Sequence, residues 1–372
     1  MVLPLRMHSL GLSEPLADTP QQVAEHFGAI QGQDLPQCLW ALGLRSGTSA
    51  ATVISAFNEG QLVRTWPMRG TLHVLPARDA AWMNALKPPD RLASDLQRFH
   101  ELLEFPLPEL HRRRDLAIEL LAGNPLPRQD LYRTMAARGL EVPRRLHYRF
   151  TKYLVRTNTV VFGPIVGRDH ACALADEWIP APRALTLDEA WAELATRYVA
   201  GHGPVTDRDF ARWTELGLGR ARRGLADAGD RLLTIPGESG QTWWITPALA
   251  TLLDTPMDDG AWRGLRLLPA YDEHILGYLD RTPQIDKKDE PLVIAGGYAV
   301  FRPTVVVNGR AVGTWTAPTP WAAAKLPPDH PPTVTITPFD SARARKIPRR
   351  ALNTATNTHT TYLTPPHPTP KR

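Results

Sequence analysis

The sequence predicts an α+β fold in which three short helices followed by a two-stranded hairpin occur three times, ahead of a C-terminal β-rich, barrel-like unit. Three observations lead to this prediction. Helical periodicities come in groups of three, alternating apolar and polar residues follow each group, and strand-like runs begin at Leu265. A chain of 372 residues, 43% of them hydrophobic, exceeds what one core serves, so several packed units are expected.

The first group lies at residues 15–105. Its helical patterns cover residues 19–28, 35–44 and 49–57, and the first opens with a capping threonine and a proline at the first helical position. Residues 61–75 then alternate apolar and polar side chains on both sides of a turn at residues 68–70, which indicates a hairpin. Three helices followed by such a hairpin, or wing, is the order of a winged-helix module, a relative of the helix-turn-helix. A helical connection near residues 77–104 follows it.

The same order recurs at residues 106–182 and at residues 183–262, which we predict to be the second and third winged-helix modules. The second has helical patterns at 109–122, 128–138 and 145–157 and strand patterns near 159–162 and 170–174. The third has helical patterns at 185–203, 205–216 and 219–229 and strand patterns near 231–235 and 241–246. Thr206 is expected to cap the middle helix of the third module, with Asp209 three residues later.

The remaining chain divides into a β-rich part and a tail. Residues 263–345 contain strand-like runs separated by glycine and proline, with a hairpin signal at Asn308-Gly309, so a small barrel or a meander is expected there. Residues 346–372 are rich in threonine, proline and asparagine and lack apolar periodicity. The tail is therefore predicted to be disordered.

Composition excludes several classes of protein. Cys38 and Cys172 are too few for a disulfide framework or a cysteine-rich zinc site. No glycine-rich phosphate loop and no HExxH or GxSxG motif occurs, so neither a metal nor a cofactor is expected. Because the sequence contains no apolar run of about 18 residues and no signal-peptide pattern, we expect a cytoplasmic protein without a membrane partner.

The charge of the chain favours a polyanionic partner. The net charge is +5, with 43 basic and 38 acidic residues, which is a small excess by itself. Arginine dominates it in three clusters, at residues 111–114, 143–145 and 219–223. Since the guanidinium fork matches phosphate oxygens, the candidate nucleic-acid contacts in the last two clusters are Arg144, Arg145, Arg220 and Arg222.

Three polar clusters are candidate sites, and each has a structural alternative. Gln31 and Gln33, if extended, would point the same way and offer two carbonyl acceptors to one water or one base, or they are simple loop polarity. Arg69 and His73 lie on the first hairpin, where they would contact DNA in a groove, or His73 is hydrogen-bonded in a packed wing. Residues 271–274 (YDEH) suggest a metal, but neighbours on a strand alternate faces, so a structural polar network is favoured.

Five segments spread along residues 15–340 carry the motifs of a known family. They are IQGQD at 30–34, MRGTLHVL at 68–75, GPVTDRDFARW at 203–213, LLPAYDEHILGYLDR at 267–281 and FRPTVVVNGRAVGTW at 301–315. Together, and in this order, they resemble the winged-helix DNA glycosylases of the AlkZ and YcaQ type.

The resemblance implies a fold, an activity and a site. The fold would be three winged-helix modules and a β-rich barrel-like unit around a basic face that binds double-stranded, damaged DNA. Family members excise alkylated purines, and some unhook interstrand crosslinks. Their catalytic signature, Gln-hydrophobic-Gln, falls on Gln31 and Gln33, with Gly32 in place of the aliphatic middle residue.

Two classes of function follow. The first is a monofunctional DNA glycosylase, acting as a monomer, that hydrolyses the N-glycosidic bond of cationic N7- or N3-alkylated purines and extends to interstrand crosslinks. The alternative is a non-catalytic winged-helix protein with a DNA-binding or regulatory role. The glutamine pair favours the enzyme, whereas Gly32 and the modest charge leave room for the alternative.

Overall fold

The computed structural model describes most of the chain. The described residues are 2–86, 94, 97, 101–215, 217–237, 240–253, 260–296, 300–327 and 330–364. They form two compact units, one made of residues 1–53 with residues 191–372 and the other of residues 54–190. Both contain helices and antiparallel strands, as an α+β chain should.

The helices and strands follow the predicted order along the chain. Up to residue 86 they are α1 (Val2–Ser9), α2 (Pro20–Phe27), β1 (Ile30–Gln31), α3 (Leu35–Ser46), α4 (Ala50–Asn58), β2 (Leu62–Thr65), β3 (His73–Pro76) and α5 (Ala80–Asn84). From residue 101 to the end of the second unit they are α6 (Leu107–Leu121), β4 (Leu126–Pro127), α7 (Arg128–Ala137), α8 (His147–Arg156), β5 (Val160–Val166), β6 (Asp169–Leu174) and α9 (Ala175–Trp178). Much of the connection expected near residues 77–104 lies outside the described residues.

The third group of three helices and a hairpin is also present. It consists of α10 (Leu187–His202), α11 (Asp207–Thr214), α12 (Leu218–Asp227), β7 (Leu233–Pro236) and β8 (Thr242–Ile245). The elements that follow are α13 (Pro247–Ala250), β9 (Leu265–Leu268), α14 (Glu273–Leu276), α15 (Glu290–Val293), β10 (Ile294–Ala295), β11 (Val300–Phe301), β12 (Thr304–Val307), β13 (Arg310–Thr316), α16 (Pro320–Ala323), β14 (Thr335–Pro338), α17 (Ser341–Ala344) and α18 (Arg349–Leu363). Among the described residues, no helix is both long and apolar enough to cross a bilayer.

Local capping explains where several helices begin. The Thr19 hydroxyl accepts a hydrogen bond from the backbone of Gln22, and Pro20 supplies the first residue of α2. The predicted cap of α11 is confirmed, because the Thr206 hydroxyl and the Asp209 carboxylate each accept a bond from the other's backbone N–H. These signals are local, which is why the sequence reveals them.

In the second unit, the hairpins of the first two groups belong to one sheet. Strands β3, β2, β5, β6 and β4 lie side by side in that order, all antiparallel. The hairpins meet where Arg64 pairs with Phe162. The core of this unit, which includes Leu131, Phe150 and Val160, lies between the helices and this sheet. The sequence predicted each hairpin separately but not their union.

The C-terminal strands form an open sheet in the first unit. Strands β9, β12, β13 and β14 are antiparallel in the order β14, β13, β12, β9, and the turn at Asn308-Gly309 has positive φ at both residues, as the hairpin signal predicts. The expected barrel-like unit needs a correction. Among the described strands, β9 and β14 remain at opposite edges, and closure would require them to hydrogen-bond to each other.

The prediction of a disordered tail is wrong for residues 349–363, which form helix α18. Its inner face carries Leu352, Ala355, His359 and Tyr362, spaced three and four residues apart, and the last two are buried. The His359 ring contacts those of Trp40 and Trp315 with centroids 4.8 and 5.0 Å apart. Threonines between these positions dilute the apolar periodicity, so the helix was missed. Residues 365–372 lie outside the described residues.

We predict that Gly43→Ala destabilises the protein, although glycine-to-alanine changes inside helices usually stabilise. A Cβ on Gly43 would lie 2.5 Å from the Tyr362 ring, so α3 and α18 would have to separate. Overpacking of this kind costs about 1–3 kcal/mol. Denaturant unfolding of Gly43→Ala, Tyr362→Leu and the double variant measures the coupling, and strictly additive effects would contradict the close contact.

Candidate active site

The segment with the two candidate catalytic glutamines is tied together by its own hydrogen bond. Strand β1 ends at Gln31, whose side chain is only 6% exposed, and the Gln31 Oε1 atom accepts a hydrogen bond from the backbone N–H of Gln33 at 2.8 Å. The Gln33 side chain is exposed. The chain is extended at Gln31 but bends at Gln33, so the condition under which both side chains would point the same way is not met along the whole segment. One glutamine of the pair is therefore buried and held by a hydrogen bond, and the other lies at the surface.

Asp34, the residue after this pair, is the N-cap of α3. Its Oδ1 atom accepts a hydrogen bond from the backbone of Gln37 at 3.2 Å, and its negative charge lies at the positive end of the helix dipole. The sequence contains a signal for this, since an aspartate followed three residues later by glutamine matches a capping box. The capping requirement therefore fixes the point at which the chain leaves the Gln31–Gln33 segment.

Helix α3 also holds the chain segment that follows β9. The Gln37 side chain accepts a hydrogen bond from the Ala270 backbone at 2.9 Å, and the Trp40 indole donates to the Leu267 carbonyl at 2.8 Å. One turn further on, Arg45 donates two hydrogen bonds of 2.9 Å to the Asp272 carboxylate, and both side chains are buried. Three side chains of the helix that begins at the candidate site therefore bind residues 267–272.

Two of the residues at 271–274, Asp272 and Glu273, belong to a structural polar network, the reading that the sequence analysis favoured. The Glu273 carboxylate accepts hydrogen bonds from the Trp213 indole at 2.9 Å and lies 3.1 Å from His202 Nε2. Burial lowers the pKa of His274 to about 4. Their placement on a strand was wrong, since Asp272 caps the short helix α14. Among the described residues, no cluster of three histidine, cysteine or acidic side chains could hold a metal.

The hairpin residues Arg69 and His73 lie in the second unit and contact each other. His73 is completely buried, and burial lowers its pKa well below 6.5, with the Arg69 charge adding to the effect. The neutral ring accepts from Arg69 Nη2 at Nε2 (2.9 Å), so Nδ1 carries the proton and donates to the Thr71 carbonyl (3.0 Å). His73 therefore has the buried, hydrogen-bonded position that we considered as its structural alternative.

The four arginines singled out by clustering differ in their surroundings. In the second unit, Arg145 is ion-paired with Glu104 at 2.7 Å, whereas exposed Arg144 has no ion pair among the described residues. In the first unit, Arg222 is ion-paired with Asp207 at 2.6 Å, whereas Arg220 has none within the described ranges. The sequence does not reveal which of the four arginines are ion-paired, because the acidic partners lie outside the arginine clusters.

Arginine side chains also line a cleft in each unit. In the second unit, Arg128 and Arg144 lie with Tyr148 on a cleft between α7 and α8. In the first unit, Arg208 and Arg222 lie with Trp244 on a cleft beside the start of α11. Arginine together with a partly exposed aromatic ring is typical of surfaces that contact nucleic acid. Arg128 and Arg208 were missed because neither belongs to an arginine cluster.

Comparison with known proteins identifies the family. The sequence profile of the family described as "DNA glycosylase AlkZ-like" matches residues 24–353. This chain belongs to that family. It is therefore related to DNA glycosylases, hydrolases that act on N-glycosyl bonds, and its substrate is DNA.

Two comparisons involve Streptomyces sahachiroi. An "Interstrand DNA cross-link repair glycosylase" from this organism is 26% identical over 277 residues, covering 68% of this chain and 70% of that protein. The solved structure of "Streptomyces sahachiroi DNA glycosylase AlkZ" matches with a TM-score of 0.73 and 22% identity, over 97% of this chain and 95% of that one. At this identity the structural match shows a shared fold.

We predict that His73 makes the protein less stable at acidic pH. The pKa of His73 is depressed in the folded state, so below pH 6.5 the unfolded chain binds a proton that the folded chain does not. The free energy of unfolding is therefore unaffected by His73 above pH 6.5. Below pH 6.5 it decreases, by about 1.4 kcal/mol per pH unit for one histidine. Urea unfolding at pH 7.5 and pH 5.5 should show a smaller loss in His73→Gln. An identical loss in both proteins would refute it.

Proposed function

We propose that this AlkZ-like glycosylase hydrolyses the N-glycosidic bond of purines alkylated at N7 or N3, with Gln31 and Gln33 as the catalytic residues. The observation that carries the proposal is the buried Gln31 carboxamide, fixed by the Gln33 N–H in a chain of this family. A fixed amide dipole can stabilise charge that develops in the transition state. It therefore suits a reaction that depends on such stabilisation more than on proton transfer.

The chemistry is consistent with neutral catalytic groups. An N7- or N3-alkylated purine already carries a positive charge, so it departs as a neutral base and needs little acid catalysis. What remains is to place a water molecule at the anomeric carbon and to stabilise oxocarbenium-like charge there. A carbonyl oxygen has two lone pairs, so Gln31 Oε1 keeps acceptor capacity beyond its bond to Gln33. Asp34 is committed to its helix as the N-cap.

Interstrand crosslinks are a second class of substrate that we propose. The Streptomyces sahachiroi relative is named for crosslink repair, and the sequence match covers most of this chain. A crosslink through purine N7 leaves the same cationic leaving group as a simple alkyl adduct. Unhooking therefore uses the same bond cleavage, on a bulkier lesion.

Double-stranded DNA would be held by winged-helix modules. We infer three of them from the repeated order of three helices and a hairpin, with the hairpins of the first two joined in one sheet. The arginines with no ion pair among the described residues, Arg144 and Arg220, are the candidates for phosphate contacts, and Arg69 is positioned by His73. Since His73 has no exposed surface, its role is to position Arg69.

We expect the enzyme to act as a cytoplasmic monomer.

We predict that Arg144→Ala weakens binding to undamaged duplex, whereas Arg145→Ala, its immediate neighbour, has little effect. Arg145 is neutralised by Glu104, so only Arg144 is expected to displace counterions from DNA. The affinity should fall with rising salt, and Arg144→Ala should reduce the slope of log K against log salt by about one. Fluorescence anisotropy at several salt concentrations measures this. Equal effects of the two variants would count against the assignment.

We predict that Gln31→Ala and Gln33→Ala each slow excision of N7-methylguanine by about a hundredfold or more, the typical effect of losing one preorganised dipole. Duplex affinity should change little, and Gln22→Ala, an exposed glutamine on α2, is the matched control. Single-turnover release of the base, scored as alkali-labile strand breaks, measures the rate. Unchanged rates in both variants would remove the glutamines from the mechanism.

The same assay tests the leaving group. Uracil and hypoxanthine leave as anions unless an acid protonates them, so they should stay in place under conditions that release N7-methylguanine. Uracil release at a comparable rate would contradict the proposed substrate class even if the glutamines prove essential.

A further inference from the structure

Tyr271 has an unusual backbone conformation next to the candidate active site. It lies between strand β9 and helix α14, and its φ is +60°, in the left-handed region that glycine or asparagine usually occupies. A large aromatic residue rarely adopts this conformation. Since glycine would fit the turn without strain, the presence of a tyrosine calls for a reason beyond the turn itself.

Both neighbours of Tyr271 are held, and this fixes the strained conformation. The Ala270 backbone N–H donates to Gln37 Oε1, and the Asp272 carboxylate is bound by both terminal nitrogens of Arg45. Gln37 and Arg45 both belong to α3, the helix that Asp34 caps. The turn at Tyr271 is therefore set by the same helix that begins at the Gln31–Gln33 segment.

The Tyr271 ring is partly exposed and lies near that segment. One side packs near the Phe301 ring, with centroids 5.8 Å apart, and the residue is half-buried. Burial raises the pKa of the Tyr271 hydroxyl, and the Asp34 carboxylate is close enough to raise it further. Asp34 directly follows Gln33, and the Ala270 backbone next to Tyr271 is bound by Gln37 in the first turn of α3, so Tyr271 lies near the end of the Gln31–Gln33 segment.

We propose that the Tyr271 ring is the surface against which the alkylated purine rests during excision. The face of an aromatic ring carries negative charge density, so it attracts a planar cation more strongly than a neutral base. The nearby Asp34 carboxylate reinforces this preference. A single aromatic face supports the base without enclosing it, which would leave room for bulky adducts. The proposal rests on the proposed function and names the residue that selects its cationic substrate.

The test compares Tyr271→Phe with Tyr271→Gly and Tyr271→Asn. Glycine and asparagine both suit a positive φ, so these variants relieve the backbone strain while removing the ring. Phenylalanine keeps the ring and removes only the hydroxyl. A purely structural role for the turn would leave glycine and asparagine tolerated, so their thermal unfolding temperatures are measured alongside activity.

Two readouts are needed. The first is the single-turnover rate of N7-methylguanine excision, where Tyr271→Gly and Tyr271→Asn should lose roughly 5- to 150-fold and Tyr271→Phe should stay within about twofold of wild type. The second is affinity for a duplex with a non-hydrolysable 2′-fluoro N7-methylguanine nucleotide, relative to a duplex with an abasic tetrahydrofuran. Loss of the ring should weaken only the first duplex, because the second has no base to stack.

The outcomes separate this inference from the proposed function. If wild type excises N7-methylguanine and the glycine and asparagine variants match it, the Tyr271 inference is wrong and the proposed function stands. If Tyr271→Phe loses as much as Tyr271→Gly, the hydroxyl and not the ring is responsible, which also overturns it. If wild type excises nothing, the proposed function fails, and the binding comparison still decides whether the ring contacts an alkylated base.

Discussion

The buried ion pair between Arg45 and Asp272 organises the first unit. It joins two residues 227 positions apart, with two hydrogen bonds of 2.9 Å and almost no exposure to solvent. Arg45 also donates to the Leu10 carbonyl, and Asp272 caps α14. Removing one partner of such a pair leaves a buried charge without compensation and typically costs about 3–5 kcal/mol. The positions of α3, of the segment that caps it and of the turn at Tyr271 all depend on this contact.

The sequence predicted what local chemistry determines. Caps at Thr19 and Thr206 and the hairpin at Asn308-Gly309 depend on neighbouring residues, so the order of helices and hairpins could be read directly. The joining of two hairpins at Arg64 and Phe162, and the docking of α18 on α3, depend on partners far away in the chain. The threonine-rich sequence of α18 shows that a helix with four inward-facing residues can escape detection by periodicity.

The candidate site was predictable in its residues but not in its geometry. The resemblance to a family placed the catalytic pair on Gln31 and Gln33, yet side-chain alternation along an extended segment does not describe a chain that bends at Gln33. The bend comes directly before Asp34, which caps α3. Arginine clusters were similarly incomplete guides, since Arg145 and Arg222 are neutralised by acids that sequence proximity does not reveal. The arginines whose positive charge can reach DNA are therefore not simply the ones that cluster in the sequence.

The first unit is discontinuous, and this has a consequence for biosynthesis. Residues 54–190 form a compact unit of their own, whereas residues 1–53 belong with residues 191–372. A ribosome releases Arg45 long before Asp272, and Trp40 longer still before its neighbour His359. Domains generally fold as units while the chain emerges, so the second unit can fold first. The support for the glutamine pair is assembled only when translation is nearly finished, so a prematurely terminated chain lacks the framework that orders its reactive segment.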